Sequence, residues 1–239
     1  MISGILRTLA ILLLTIASSA AAYIAGRLVS GEAAASRIMC WWGRAFVRMG
    51  GWDVRVEGME NLPAGGAVLV SNHQSLVDIP LLLTAFPRPV RFVAKSELGR
   101  IPLFGKAMAM SGNLFVDRKD PRDASRMFRE AAVRIADGQL ISVFPEGRRT
   151  RDGSIGPFKT GAFRLAREAG AQVVPAYIDG GYRAMPKGAL RFRPARLLVR
   201  VLPPLSDGEM TGDVKERVAR IARERIVAAA SAEAGEGRG

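Results

Sequence analysis

Ala67-Val68-Leu69-Val70-Ser71-Asn72-His73-Gln74-Ser75-Leu76-Val77-Asp78-Ile79-Pro80-Leu81-Leu82-Leu83 is the stretch whose reading decides the fold. Residues 67–70 are a short apolar run behind Gly65-Gly66, the pattern of a buried strand. Residues 78–83 read as a helix with a proline in its first turn, where a missing amide costs little. His73, the only histidine in the chain, sits in the polar hinge between them.

Imidazole is the side chain that ordinarily exchanges a proton near neutral pH, so such chemistry here has His73 as its one candidate. On a continuous helix, five steps of about 100° would set His73 and Asp78 roughly 140° apart. With His73 on the non-helical lead-in and Asp78 in the first turn, the carboxylate can reach back to one ring nitrogen. The other nitrogen is then free to accept a proton. The alternative is a satisfied structural histidine, with Asn72, Ser75 and Asp78 serving as capping groups.

Working outward, Trp52-Asp53-Val54-Arg55-Val56-Glu57 alternates as a strand and Pro63 to Gly66 turns the chain. Pro87 and Pro89 stop the helix after Asp78, and Val90 to Ala94 is a further strand ending at Lys95. Gly105 to Met110 is a short Met-rich helix, suited to the core or to an irregular apolar channel. Gly112 to Arg118 reads as a strand. Pro121 to Ala136 reads as an amphipathic helix with Met127, Ala131 and Ile135 on its inner side. Strand Gln139 to Phe144, helix Thr160 to Ala169, strands Gln172 to Ile178 and Leu197 to Leu202, and a charged helix Val214 to Ala230 complete the pattern. The expectation is α/β: a three-layer single domain over residues 50–230, with a central mixed β-sheet flanked by helices. The Gly-, Ala- and Glu-rich residues 231–239 are expected to be a disordered tail.

Lys and Arg total 35 against 22 acidic residues, a net charge of +13 that suits phosphate, whether in nucleic acid, lipid headgroups or a substrate. Tyr23, Tyr177 and Tyr182 do not interleave with the basic residues as stacking platforms would, and no helix-turn-helix, zinc-finger or ribonucleoprotein motif occurs, so nucleic acid is set aside. The single Cys40 forbids an intrachain disulfide and a multi-cysteine metal site. One histidine and scattered carboxylates point to no metal, and no cofactor motif is present.

No charge falls between Arg7 and Arg27, about nineteen residues, near the minimum for spanning a bilayer. The segment reads as a cleaved signal peptide, a span, or half of a helical hairpin lying in one leaflet. Residues 33–49 mix Ile38, Met39, Trp41, Trp42, Phe46 and Val47 with Arg37, Arg44 and Arg48, as interfacial helices do; the alternative is a helix that merely packs on the domain. If the first segment spans, the arginines that follow it put the main domain on the cytoplasmic side. The residues by themselves leave these alternatives open.

Four motifs in order carry a resemblance. Asn72-His73 with Asp78, Gly112 to Arg118, Phe144-Pro145-Glu146-Gly147-Arg148-Arg149-Thr150 and Val174-Pro175 resemble the successive motifs of the glycerolipid acyltransferase family, over roughly residues 52–180. The resemblance implies transfer of an acyl chain from acyl-CoA or acyl carrier protein to the sn-2 hydroxyl of lysophosphatidic acid, giving phosphatidic acid. His73 would be the general base and Asp78 its orienting partner. Arg118 and Arg149 match the family's phosphate-gripping arginines, with Lys95 assisting. Glu146 would orient arginines or meet the acceptor's glycerol, and Gly147 would let the backbone approach it. No Gly-x-Ser-x-Gly elbow occurs, consistent with a substrate that brings its own hydroxyl.

The resemblance also implies that residues 1–49 are an N-terminal membrane-binding helical segment on anionic lipids, with the catalytic domain on the cytoplasmic face of a bacterial inner membrane. Arg148 departs from the pattern, since the family commonly has Thr there. That leaves two rivals: acylation of another lysolipid, such as a lyso-ornithine lipid or lysophospholipid, and a non-enzymatic protein that binds anionic membranes.

Overall fold

A computed structural model describes residues 2–28, 31–117, 119–210 and 215–236. Helices α1 (Ile2–Leu28) and α2 (Glu32–Gly50) precede strand β1 (Asp53–Glu57), and β2 (Ala67–Ser71), α3 (Asp78–Ala85), β3 (Val90–Lys95), α4 (Ser96–Gly99) and α5 (Phe104–Met110) follow. The chain continues through β4 (Leu114–Val116), α6 (Pro121–Ala136), β5 (Leu140–Val143), α7 (Gly161–Glu168), β6 (Gln172–Asp179) and α8 (Gly181–Ala184). It closes with β7 (Arg196–Val201), α9 (Asp207–Met210) and α10 (Lys215–Glu236).

The strands form one mixed sheet in the order β1-β7-β6-β2-β5-β3-β4, with the β6–β7 pair antiparallel and the others parallel. Strand β2 lies between β5 and β6, and all five of its residues are buried, as the unbroken apolar run 67–70 requires. Alternate residues of the sheet serve two cores. Ala67, Leu69 and Val174 pack with α2 and α3 residues such as Trp42, Phe46 and Leu81. Val68, Val70 and Val173 pack with α6, α7 and α10 through Phe128, Leu165 and Ala222. This is the expected three-layer arrangement.

Strand β4 is shorter than the expected Gly112–Arg118. Gly112 takes a positive φ of 81°. Asn113 spends its side chain on the neighbouring elements, accepting from the Phe92 amide at 2.9 Å and donating to Met108 O at 3.0 Å, so the ladder starts only at Leu114.

The tail also differs. Helix α10 runs to Glu236, past the expected boundary at Ser231, because Glu233 takes a 2.7 Å hydrogen bond from Arg200 on β7 and ties the last turns to the sheet. Residues 237–239 lie outside the described residues.

Helix α1 is long and apolar enough to cross a bilayer by length and composition. One side of it is buried, through Ile11, Ser18, Ser19 and Ala22, while Ile5, Leu6, Leu9, Leu12, Leu13 and Ile16 are exposed. Trp42 donates to Thr15 Oγ1 at 3.0 Å and Arg7 to Gly50 O at 3.1 Å, so α1 lies along α2. Helix α2 turns its apolar side inward and leaves Arg37, Trp41, Arg44 and Arg48 outside. Glu32 at its start accepts from Arg91 of β3 and Arg134 of α6, fastening the hairpin to the domain.

Candidate active site

The ends of β2, β5 and β3 bring the first and third motifs and Lys95 to one edge of the sheet, the carboxyl edge where α/β proteins place their ligands. Helix α3 begins at Asp78, so Ser71 to Val77 is an irregular segment in which His73 and Asp78 can meet. His73 Nδ1 and Asp78 Oδ2 are 2.8 Å apart. The same carboxylate oxygen accepts from the Gln74 amide at 2.6 Å and the Ser75 amide at 2.8 Å. Asp78 is fully buried, whereas the His73 side chain keeps some exposure. With Nδ1 facing a carboxylate, the ring carries its proton there and offers Nε2 as the basic nitrogen.

Sequence reasoning did not assign several of the residues that hold this loop. Asn72 exchanges two 2.8 Å hydrogen bonds with the backbone of Ile178 on β6. Ser75 Oγ donates to Met185 O at 2.7 Å, and the Tyr182 amide donates to Gln74 Oε1 at 3.2 Å. Asp78 Oδ1 is buried, has no hydrogen-bond partner among the described residues, and rests against Gly181, where a Cβ would collide with it. The Gly180-Gly181 pair after β6 was the one sequence signal for so close an approach. Phe144 stacks on the imidazole with centroids 3.9 Å apart and planes at 13°. That ring fixes the imidazole plane and presents a π face to any imidazolium formed during a reaction.

The third motif docks on the first through backbone. The His73 amide donates to Glu146 Oε1 at 2.8 Å, the Gly156 amide to Glu146 Oε2 at 3.0 Å, and the Thr150 amide to His73 O at 2.9 Å. Both Glu146 oxygens thus accept from main chain, which braces the third motif against the first. Burial raises the Glu146 pKa, partly offset by those two amides. Gly147 adopts a positive φ of 73°, the turn that only glycine takes without strain.

Beyond the turn, Arg148 is exposed and Arg149 half-buried, and neither side chain has a partner among the described residues. Lys95 is exposed at the end of β3 and pairs in register with Val116. Arg118, the remaining expected phosphate ligand, lies outside the described residues. No cluster of His, Cys, Asp or Glu fit for a metal occurs among the described residues. Cys40 is on α2, and burial raises its thiol pKa, which keeps it from acting as a ready nucleophile.

Fold and site together define a three-layer α/β protein with an imidazole–carboxylate pair on the carboxyl edge of its sheet. Residues 53–179 match the family described as Acyltransferase, and the chain belongs to that family. It is similar to the chloroplastic 1-acyl-sn-glycerol-3-phosphate acyltransferase LPAT1 of Arabidopsis thaliana, 39% identical over 58% of this chain and 39% of that protein. The 1-acyl-sn-glycerol-3-phosphate acyltransferase of Saccharomyces cerevisiae is 32% identical over 74% of this chain and 59% of its own length. The chain thus spans about half the length of these curated relatives. The crystal structure of the 1-acyl-sn-glycerophosphate acyltransferase PlsC from Thermotoga maritima superposes with a TM-score of 0.71 at 29% identity, covering 92% of this chain and 96% of that one.

Proposed function

We propose that the protein transfers a fatty acyl chain from a thioester, acyl-CoA or acyl-acyl carrier protein, to the sn-2 hydroxyl of 1-acyl-sn-glycerol-3-phosphate, forming phosphatidic acid. The observation that carries this reading is the 2.8 Å His73–Asp78 pair, with Asp78 in turn fixed by two amides. The names of the relatives supply the acceptor.

In the reaction, His73 Nε2 takes the proton of the acceptor hydroxyl as its oxygen attacks the thioester carbonyl. A tetrahedral oxyanion forms, and Asp78 holds the imidazolium in place. Collapse breaks the carbon–sulfur bond, and Nε2 returns the proton to the departing thiolate. The acceptor supplies the nucleophile, so no acyl-enzyme is required. Arg149, Lys95 and Arg118 bind the acceptor phosphate through charge-assisted hydrogen bonds. Gly147 allows close approach of the backbone, and Glu146 acts as a positioning residue that keeps the third motif seated on the first.

The exposed outer side of α1 supports a membrane location, a natural source of a lysolipid, and in this reading α1 lies in one leaflet alongside α2 with the domain on the cytoplasmic face. Arg148, an extra cation beside Arg149, favours one second reading, an acceptor with a different headgroup.

Membranes containing wild type or His73→Ala, given lysophosphatidic acid and a radiolabelled acyl thioester, test the proposal. Wild type should form labelled phosphatidic acid and the variant should not. Equal product from both would remove His73 from the mechanism, and product only from other lysolipids would replace the acceptor.

A further inference from the structure

The loop between α8 and β7 carries the most exposed large apolar side chain among the described residues, Leu190, at 83%. Lys187, Arg191 and Arg193 stand around it, all exposed, and no acidic residue occurs from Gly180 to Ser206. The loop is anchored at its base. Phe192 packs edge-on against Phe46 and Trp52, with centroids 5.5 and 5.4 Å away. Trp52 Nε1 donates to Arg193 O at 2.8 Å, and the Arg193 amide to Ala184 O at 2.9 Å. No described residue buries Leu190, yet its neighbours hold the loop that displays it.

The same corner receives the start of α1. Arg7 bonds to Gly50 O at the end of α2, two residues before Trp52, and Ile5, Leu6 and Leu9 are exposed nearby on α1. The base of the loop and the start of α1 are thus both tied to the end of α2, which itself exposes Arg37, Arg44 and Arg48.

We propose that residues 186–193 are a second membrane contact, inserting Leu190 among the acyl chains of an anionic bilayer while Lys187, Arg191 and Arg193 meet its headgroups. An apolar tip ringed by cations matches the depth profile of such an interface. The contact goes beyond the acyl-transfer reading and needs no substrate.

The test uses the full-length protein with Cys40→Ala, labelled with an environment-sensitive fluorophore at Leu190→Cys or, as control, at Arg129→Cys on α6 across the sheet. Phosphatidylglycerol-rich vesicles should shift emission at 190 to the blue and leave 129 unchanged. Replacing Lys187, Arg191 and Arg193 together by Ala should raise the lipid concentration for half-binding by about a hundredfold, since each cation near the surface contributes about a fivefold factor. A silent label at 190 on vesicles that sediment the protein would overturn this contact while leaving α1 as an anchor. Vesicles that fail to sediment the protein would overturn it together with the membrane reading of α1. A label that answers an acidic acyl carrier protein and not vesicles would make the surface a protein-docking site instead.

Discussion

Two loops leave neighbouring strands at the same edge of the sheet, and they are built on opposite plans. The loop after β2 is closed on itself: Asn72, Gln74, Ser75 and Asp78 all spend side-chain atoms on backbone or on His73. The loop after β5 is braced at its two ends, by Glu146 and by Asp152, whose carboxylate accepts from Thr150 Oγ1 and the Ser154 amide at 3.0 Å each. Between those braces, Arg148 and Arg149 keep their donors uncommitted among the described residues. On the proposed function, the difference reflects two kinds of work. A general base functions only at a fixed geometry, so its order is built in beforehand. Phosphate-gripping donors serve only if their hydrogen bonds are still unmade when the ligand arrives.

Breaking the closed loop should have the largest effect. His73→Ala should lower kcat by about 10²–10⁴-fold, as loss of a general base does, with KM for the acceptor little changed in steady-state assays. Gly181→Ala should push the Asp78 carboxylate off its seat and lower kcat by about 10²-fold, the cost of displacing a catalytic group by roughly an ångström. A full-rate Gly181→Ala enzyme would show that the close packing behind Asp78 is dispensable.

The open loop should respond in KM. Arg149→Ala should raise KM for lysophosphatidic acid by about one to two decades, the worth of one charge-assisted contact, and Arg149→Lys should recover part of it. An effect confined to kcat would move Arg149 from phosphate binding to the reaction itself.

The braces come next. Glu146→Gln sets an amide NH2 against one of two backbone donors and should lower stability by about 1–3 kcal/mol, read as a fall in Tm. Because burial raises the Glu146 pKa, its ionised form is disfavoured in the fold. Its contribution is therefore greatest below the ordinary glutamate range and declines as pH rises through the raised value. The Tm–pH curve of Glu146→Gln should lack that decline.

The smallest change belongs to Asp152, whose pKa is lowered from 3.8 to about 2 by hydrogen bonds from Ser154 and Thr150. Its contribution is present above 3.8 and lost as pH falls through about 2, so Asp152→Asn should erase a slight acid-side dependence of Tm and leave neutral-pH activity intact.

The strand at 67–70 and the helix after Asp78 were legible because apolar runs and proline placement are local signals. The His73–Asp78 pairing was legible for a related reason, since its five-residue spacing works only across a strand-to-helix hinge. Gly181 and Asn72 act on partners about a hundred residues away in sequence, and no periodicity records such a contact. The bracing contacts of Glu146 were not legible because a motif gives a residue's identity without saying which way its oxygens point. The extent of α10 was underestimated because composition alone made 231–236 look unstructured, while the Glu233–Arg200 bond that holds it crosses to β7.

The sequence by itself determined the α/β alternation, the basic charge, the lone imidazole with its carboxylate and the order of the four motifs, because each is written in local spacing. Tertiary structure alone decided that β6 and α8 back the loop that carries His73 and that Phe144 lies on the imidazole. It also decided that α1 rests along α2 with one side bare, and that Leu190 stands at the same corner. Each of these depends on which strands become neighbours and which way their side chains alternate, and that is settled only when distant segments are buried together.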